Sequence, residues 1–250
     1  IIKEAELDEA AYLSVNNLKE YLSDGVMTAA LSYMINKKAL CRVALNKSAQ
    51  PVDNLLPEWV EISEPMYAYN QSKGQSLIRN IGGANRYLSL YVNPDDFWGR
   101  RTAEYIKGML ERENIYVTIY SELLRGEGRD YDIFQQFDMM IGRIDMSNQS
   151  PPYILNQMVF HYDLADISNN RSLYFSEEHD SIMTIYFENS KENEDMLKEY
   201  YRDLVEFPAG IPLFQPIRQT AISGRIKKIE FTDHGLIDFS TIEIKDETQR

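Results

Sequence analysis

The sequence predicts an α/β domain, a mixed sheet with helices on both faces, folded as one unit over residues 1–250. Three observations predict it. Tyr87–Val92 (YLSLYV), a helical stretch to about Arg112, and Tyr116–Tyr120 make a strand–helix–strand unit in about thirty residues, which implies parallel strands joined by a crossover helix. Phe137–Ile144 (FDMMIGRI) is apolar enough for a further buried strand. Apolar residues recur at helical spacing in two separate stretches, Val26–Met34 and Met196–Leu204.

The elements follow in order. Ala10–Asn17 alternates and reads as a short strand. Ser23 is placed to cap a helix from Asp24 to about Leu45, with Val26, Ala29, Ala30, Tyr33 and Met34 on its apolar face. AQPVDNLLPEWVEISEP carries three prolines and reads as a surface loop. A short helix is expected in YNQSKGQSLIRNIGG, begun at Ser72 and ended by Gly82–Gly83. Asn93-Pro94-Asp95-Asp96 reads as a helix start, with Asn93 as cap, Pro94 in the first turn and two acids at the positive end of the dipole. Trp98, Tyr105, Ile106 and Met109 line that helix. RGEGRD is a polar loop, and SPPYILNQMVF enters a helix. KENEDMLKEYYRDLVEF is a helix with Met196, Leu197, Tyr200, Tyr201 and Leu204 on one face. Ile211–Phe214 and Ile226–Phe231 read as strands, followed by HGLIDFSTIEI. No internal repeat or domain boundary is visible.

Composition removes several functions. A net charge of −13 repels phosphate backbones, so no direct nucleic-acid contact is expected. No apolar run is long enough to span a bilayer. The start lacks a Met and the basic and apolar regions of a signal peptide, as expected of a mature chain or a piece of a longer one. Cys41, the one cysteine, reads as a small buried hydrophobe. His161, His179 and His234 lie far apart without metal-ligand spacing, so no metal is expected. There is no nucleophile elbow, Walker loop or dinucleotide fingerprint. No catalytic residue and no cofactor are assigned, and the chain is expected not to be an enzyme.

What remains is binding. In open α/β sheets, ligands lie beyond the carboxyl ends of the strands. Two such ends are legible: Asn93–Trp98 after the strand 87–92, and Asp145-Met146-Ser147-Asn148 after the strand 137–144. A helix N-terminus at Asn93 can hold an anion through free N–H groups. Trp98 can supply stacking area, and Asp145 can accept from an amine or hydroxyl. Ser147 and Asn148 complete the candidate set. Structural roles stay open for each: Asn93 as cap, Trp98 as core, Asp145 as turn former.

The order of elements resembles family 5 solute-binding proteins, the oligopeptide, dipeptide and nickel receptors of ABC importers. YLSVNN followed by SDGVMTAALSYMINKKAL is similar to the family's strand ending in Asn and the helix after it. PMYAYNQSKGQSLIRNIGG, the unit YLSLYVNPDDFWGRRTAEYIKGMLERENIYVTIY, FDMMIGRID and GIPLFQPIRQTAISGRIKKIEF resemble successive family motifs along nearly the whole chain. The resemblance implies the C-terminal lobe of a two-lobed, periplasmic-binding-protein-like clamp (type II). The N-terminal lobe would lie outside this chain, and residues 1–17 and 224–250 would be crossing segments near the hinge. It further implies a peptide-like or other small solute and an ABC permease as partners. The location would be extracellular or periplasmic, with a possible membrane anchor before residue 1. Asp145 matches the aspartate that in the family can hold the amino end of a peptide. The chain departs immediately afterwards, with DMSNQSPP in place of the usual DYpDp pattern. Gly235–Ile242 (GLIDFSTI) also resembles the closing pattern of SgrR-type winged-helix transcription regulators. Those join a cytoplasmic ligand-sensing domain of the same fold to a fused DNA-binding domain. A domain used only for protein association is the third alternative.

Overall fold

A computed structural model of the chain describes residues 2–22, 25–54, 56, 68–80, 87–122, 135–146, 154, 181, 194–206, 210–232 and 235–245. In chain order the elements are β1 (Ile2–Glu6), β2 (Glu9–Val15), α1 (Val26–Met34), α2 (Lys37–Ala39), β3 (Ala49–Pro51), α3 (Gln71–Asn80), β4 (Tyr87–Val92), α4 (Phe97–Glu111), β5 (Tyr116–Tyr120), β6 (Met139–Asp145), α5 (Glu194–Glu206), β7 (Gly210–Ala221), β8 (Ile226–Phe231) and β9 (Ile237–Ile244). Seven strands form a mixed sheet in the order β1-β7-β2-β6-β4-β5, with β3 also on β7. β4 pairs in parallel with both β5 and β6, as the strand–helix–strand pattern predicts. β2 is antiparallel to β6 on one side and to β7 on the other.

Both faces of the sheet centre are buried. Leu13, Val15, Leu90, Val92, Met139, Ile141, Ile211 and Leu213 join Leu31, Ile78, Ile106 and Leu110 of α1, α3 and α4 in one core. Tyr12, Met140 and Ile144 point the other way and are equally enclosed. Tyr12 reaches across Gly142, where a Cβ would come within 2.6 Å of its hydroxyl oxygen. α1 and α3 approach closely at Gly74, where a Cβ would meet the Ala30 carbonyl oxygen at 2.7 Å. Tyr201 and Leu204 are buried on α5, as its periodicity requires.

Several elements differ from the sequence reading. The single helix expected over 24–45 breaks at Ile35, which is extended. Asn36 restarts it: its side-chain oxygen accepts from Ala39 N–H at 2.9 Å, and its carbonyl accepts from Leu40 N–H and the Tyr105 hydroxyl. The chain then winds through a π-helical turn, Leu40–Ala44. Asn70, not Ser72, caps α3, accepting from Lys73 N–H at 3.0 Å. Gly82, Gly83 and Ser23 lie outside the described residues. β7 runs on past Phe214 to Ala221, because its far half pairs with β1, a strand that the alternation of IKEAE did not announce. Pro212 is tolerated within β7 at the register shift opposite Ala11 and Tyr12. β8 and β9 pair as a separate two-stranded sheet. Cys41 is buried as expected, and desolvation pushes its thiol up to about 12.

Candidate functional site

β4 and β6 run side by side with Val92 opposite Ile141, so their carboxyl ends open on the same edge. Beyond that edge lies an open cleft of about 430 Å³, lined by Asn93, Asp95, Asp96, Phe97, Trp98, Ile141, Gly142 and Arg143. The chain leaves β4 through Asn93–Asp96 and enters α4 at Phe97. Asp96 is the helix cap, accepting from Gly99 N–H at 2.9 Å, which corrects the reading of Asn93 as cap. Asn93 instead folds a turn, its side-chain oxygen accepting from Asp95 N–H at 2.9 Å and its carbonyl from Asp96 N–H at 3.0 Å. The reason is local competition: either residue can supply a capping oxygen, and the short turn through Pro94 leaves Asp96 at the position where the helix begins.

Arg143 organises the cleft. Its Nε and Nη2 donate to the two carboxylate oxygens of Asp96 at 3.1 and 2.7 Å, a bidentate fork. Its Nη1 donates to Glu9, at the start of β2. Its guanidinium carbon lies 4.9 Å from the centre of the Trp98 ring. Burial works against the charge on Arg143, but the hydrogen bonds and fields of Asp96 and Glu9 outweigh it and hold the guanidinium above its ordinary value. Trp98 is fixed from the other side, its indole N–H donating to the Ser48 hydroxyl at 2.9 Å. Ser48 in turn donates to Leu45 O at 2.6 Å. It follows Asn46 and Lys47, both at positive φ, so the turn after the π-helical segment presents Ser48 to the indole.

Asn93 and Trp98 therefore both line one cleft. Asp145 ends β6 two residues beyond Arg143, its backbone opposite Glu9, and its side chain lies outside the described residues. Ser147 and Asn148 also lie outside them, as do His161, His179 and His234. The sequence reading named none of Arg143, Glu9 and Ser48, and it included Asp96 and Phe97 only within the stretch Asn93–Trp98, without giving either a ligand role. A signal existed for Arg143, the one charged side chain within MMIGRI. Glu9 and Ser48 carried none, because tertiary pairing alone brings them to the cleft.

A second polar cluster lies at the opposite end of β6. Asp138 is 4% exposed. It accepts from Tyr21 OH at 2.5 Å, from Ser89 N–H at 2.7 Å and from the Ser89 hydroxyl at 2.8 Å, and pairs with Lys19 at 2.8 Å. Burial would raise its carboxyl, but these donors outweigh burial and hold it below its ordinary value. Asn16 closes the same corner, donating to Phe137 O at 2.8 Å.

A mixed α/β sheet with a cleft outside the carboxyl ends of parallel strands is the general form of an α/β binding domain. The chain belongs to a defined family of these, the bacterial extracellular solute-binding proteins, family 5, whose middle-region model matches residues 3–165. It is 24% identical over 254 residues to the peptide transport periplasmic protein SapA of Haemophilus influenzae, covering 93% of this chain and 42% of that protein. Solved structures share the fold. NikA from Brucella suis, in complex with Fe(III)-EDTA, superposes with a TM-score of 0.80 at 17% identity, over 98% of this chain and 53% of that one. HbpA2 from Haemophilus parasuis gives 0.76 at 18%, over 98% and 50%. AppA from Bacillus subtilis, in complex with a nonapeptide, gives 0.72 at 15%, over 98% and 52%. The chain thus spans about half the length of the relatives it matches. Among the described residues, no helix is long and apolar enough to cross a membrane.

Proposed function

We propose that this chain is the ligand-binding lobe of a solute-binding protein serving an ABC importer, which takes a peptide-like or other small solute and delivers it by closure against a second lobe. The observation that carries the reading is the family match running through the elements that build the cleft, from β2 to β6. The names of SapA, a peptide transport protein, and of AppA with its nonapeptide favour a peptide. They also favour the importer receptor over the regulator domain. In this reading Asp145 accepts the ligand's amine, Trp98 and Asn93 line its path, and Ser147 and Asn148 border it. Residues 1–17 and 224–250 lie near the hinge. The protein works outside the cytoplasm, with an ABC permease as its partner.

The test is a thermal-shift screen of the full-length protein against peptides of two to nine residues. A ligand present at 100 times its Kd adds about 2.7 kcal/mol of apparent stability, which raises the melting temperature measurably. No shift with any peptide would overturn the peptide reading. Asp145→Ala is expected to abolish the shift, and an unchanged shift would remove Asp145 from the site.

A further inference from the structure

We infer that the cleft beyond β4 and β6 is an aromatic subsite, selecting a ligand that presents a planar ring to Phe97 and to the guanidinium of Arg143. The inference rests on reading this cleft as the ligand face of a peptide receptor, and it adds which side chain the cleft prefers.

The charges deep in the cleft already answer one another. Asp96 is shared between Gly99 N–H and the fork of Arg143, and Arg143 also holds Glu9. An ionic group on the ligand would have to break a half-buried, hydrogen-bonded pair to be recognised there, leaving a charge uncompensated. Trp98 offers no polar handle either, since its single N–H is taken by Ser48.

What the wall presents is flat surface. The Arg143 guanidinium lies over the Trp98 ring, with its carbon 4.9 Å from the ring centre. Phe97 stands beside it, 56% exposed at the mouth of the cleft, with the guanidinium carbon of Arg101 5.6 Å from its ring centre. Each aromatic ring of the wall is thus paired with a guanidinium, so a ligand ring entering the cleft meets flat surface of both kinds. Guanidinium and aromatic planes attract by dispersion and through the ring quadrupole. Two large aromatics at one cleft, one of them exposed at a helix start where nothing in helix chemistry asks for Phe, point to a ligand that uses them. Asn93 and Asp95 at the exposed rim are left to meet the polar main chain of a peptide.

The experiment incubates the full-length protein with a pool of random tripeptides, captures the protein, and reads the bound peptides by mass spectrometry. The bound fraction is expected to be enriched roughly tenfold in Phe, Tyr and Trp over the input, the ratio one good stacking contact supplies. Phe97→Ala is expected to flatten that enrichment to near the input composition. Arg143→Lys keeps a cation beside Asp96 and Glu9 but removes the plane, and is expected to lower the enrichment severalfold. Thermal melts of both variants show that they are folded, and the aromatic-to-aliphatic ratio is insensitive to a modest loss of stability. A wild-type bound fraction with the composition of the input would overturn the subsite and leave the receptor reading standing. So would enrichment that survives Phe97→Ala. Capture of no tripeptide at all would overturn the subsite, whereas the receptor reading falls only with the separate thermal-shift screen of peptides of two to nine residues.

Discussion

The two ends of β6 carry opposite solutions to one problem, a charged side chain at the boundary of an apolar sheet. At the amino end, Asp138 is a buried anion on which donors converge from two stretches of chain: Lys19 and Tyr21 after β2, and Ser89 within β4. At the carboxyl end, Arg143 is a cation on which acceptors converge from β2 and from the start of α4. The first cluster buries its central charge, with the Asp138 side chain 6% exposed, and only its Lys19 end reaches the surface. The second stays 22% exposed at its cation and shares its cleft with two aromatic rings. The difference teaches where the lobe spends its polar groups on cohesion and where it keeps a surface for something else. A closed cluster joins strands, whereas an open one shapes a wall.

The strongest way to break this contrast is Asp138→Ala. It removes the acceptor for Tyr21 and for both Ser89 donors, and leaves Lys19 with the Gln136 carbonyl and water as partners. A partly buried donor left without its acceptor costs about 1 kcal/mol or more, so three of them together cost about 3 kcal/mol. Urea denaturation is expected to show a loss of that order, and a loss below about 1 kcal/mol would mean the cluster is not cohesive. Acid provides a milder probe of the same group. The folded carboxyl lies below its unfolded value of about 3.9, so the unfolded state binds more protons in that window. The stability Asp138 contributes is therefore complete above about pH 5 and is lost as pH falls through the depressed folded value. Asp138→Asn is expected to remove that part of the acid slope, measured as unfolding free energy between pH 5 and pH 3.

Both clusters were only half legible in the sequence. The strand, the helix after it and the second strand were readable from Tyr87 to Tyr120, because local alternation and helical spacing are properties of neighbouring residues. So was the cleft as a place, since the rule of carboxyl ends needs only strand order. The residues that furnish it were less visible. Glu9 precedes Arg143 by more than a hundred residues, and only the antiparallel register of β2 on β6 brings them together. The choice of Asp96 over Asn93 as cap turned on the length of one turn, a matter of a single helical step that residue preference cannot resolve. β1 escaped because its burial is slight and its pairing with the far half of β7 is entirely non-local.

The open cluster is expected to tolerate damage better. Asp96→Ala removes the α4 cap, worth about 1 kcal/mol, and the bidentate acceptor of Arg143, worth about 1 more. A loss of about 2 kcal/mol in urea denaturation is expected, with a shift in Trp98 fluorescence as the guanidinium above the ring loses its bidentate anchor. Equal losses from Asp96→Ala and Asp138→Ala would erase the distinction between wall and fastener.

Glu9→Gln tests the same distinction at its faintest. Glu9 stands on the first residue of β2 with a side chain 31% exposed, so water can take over much of what it gives Arg143. A pair in that position contributes less than about 1 kcal/mol, and the amide retains an oxygen that accepts the same N–H. The expected change in unfolding free energy is therefore below about 1 kcal/mol, and smaller still when the comparison is made at high salt, since screening weakens the wild-type pair and leaves the variant untouched. A large, salt-independent loss would place Glu9 with Asp138 as a fastener of strands. A small, salt-sensitive one makes Asp96 the stronger of these two carboxylate partners of Arg143, in keeping with its bidentate geometry and its lower exposure.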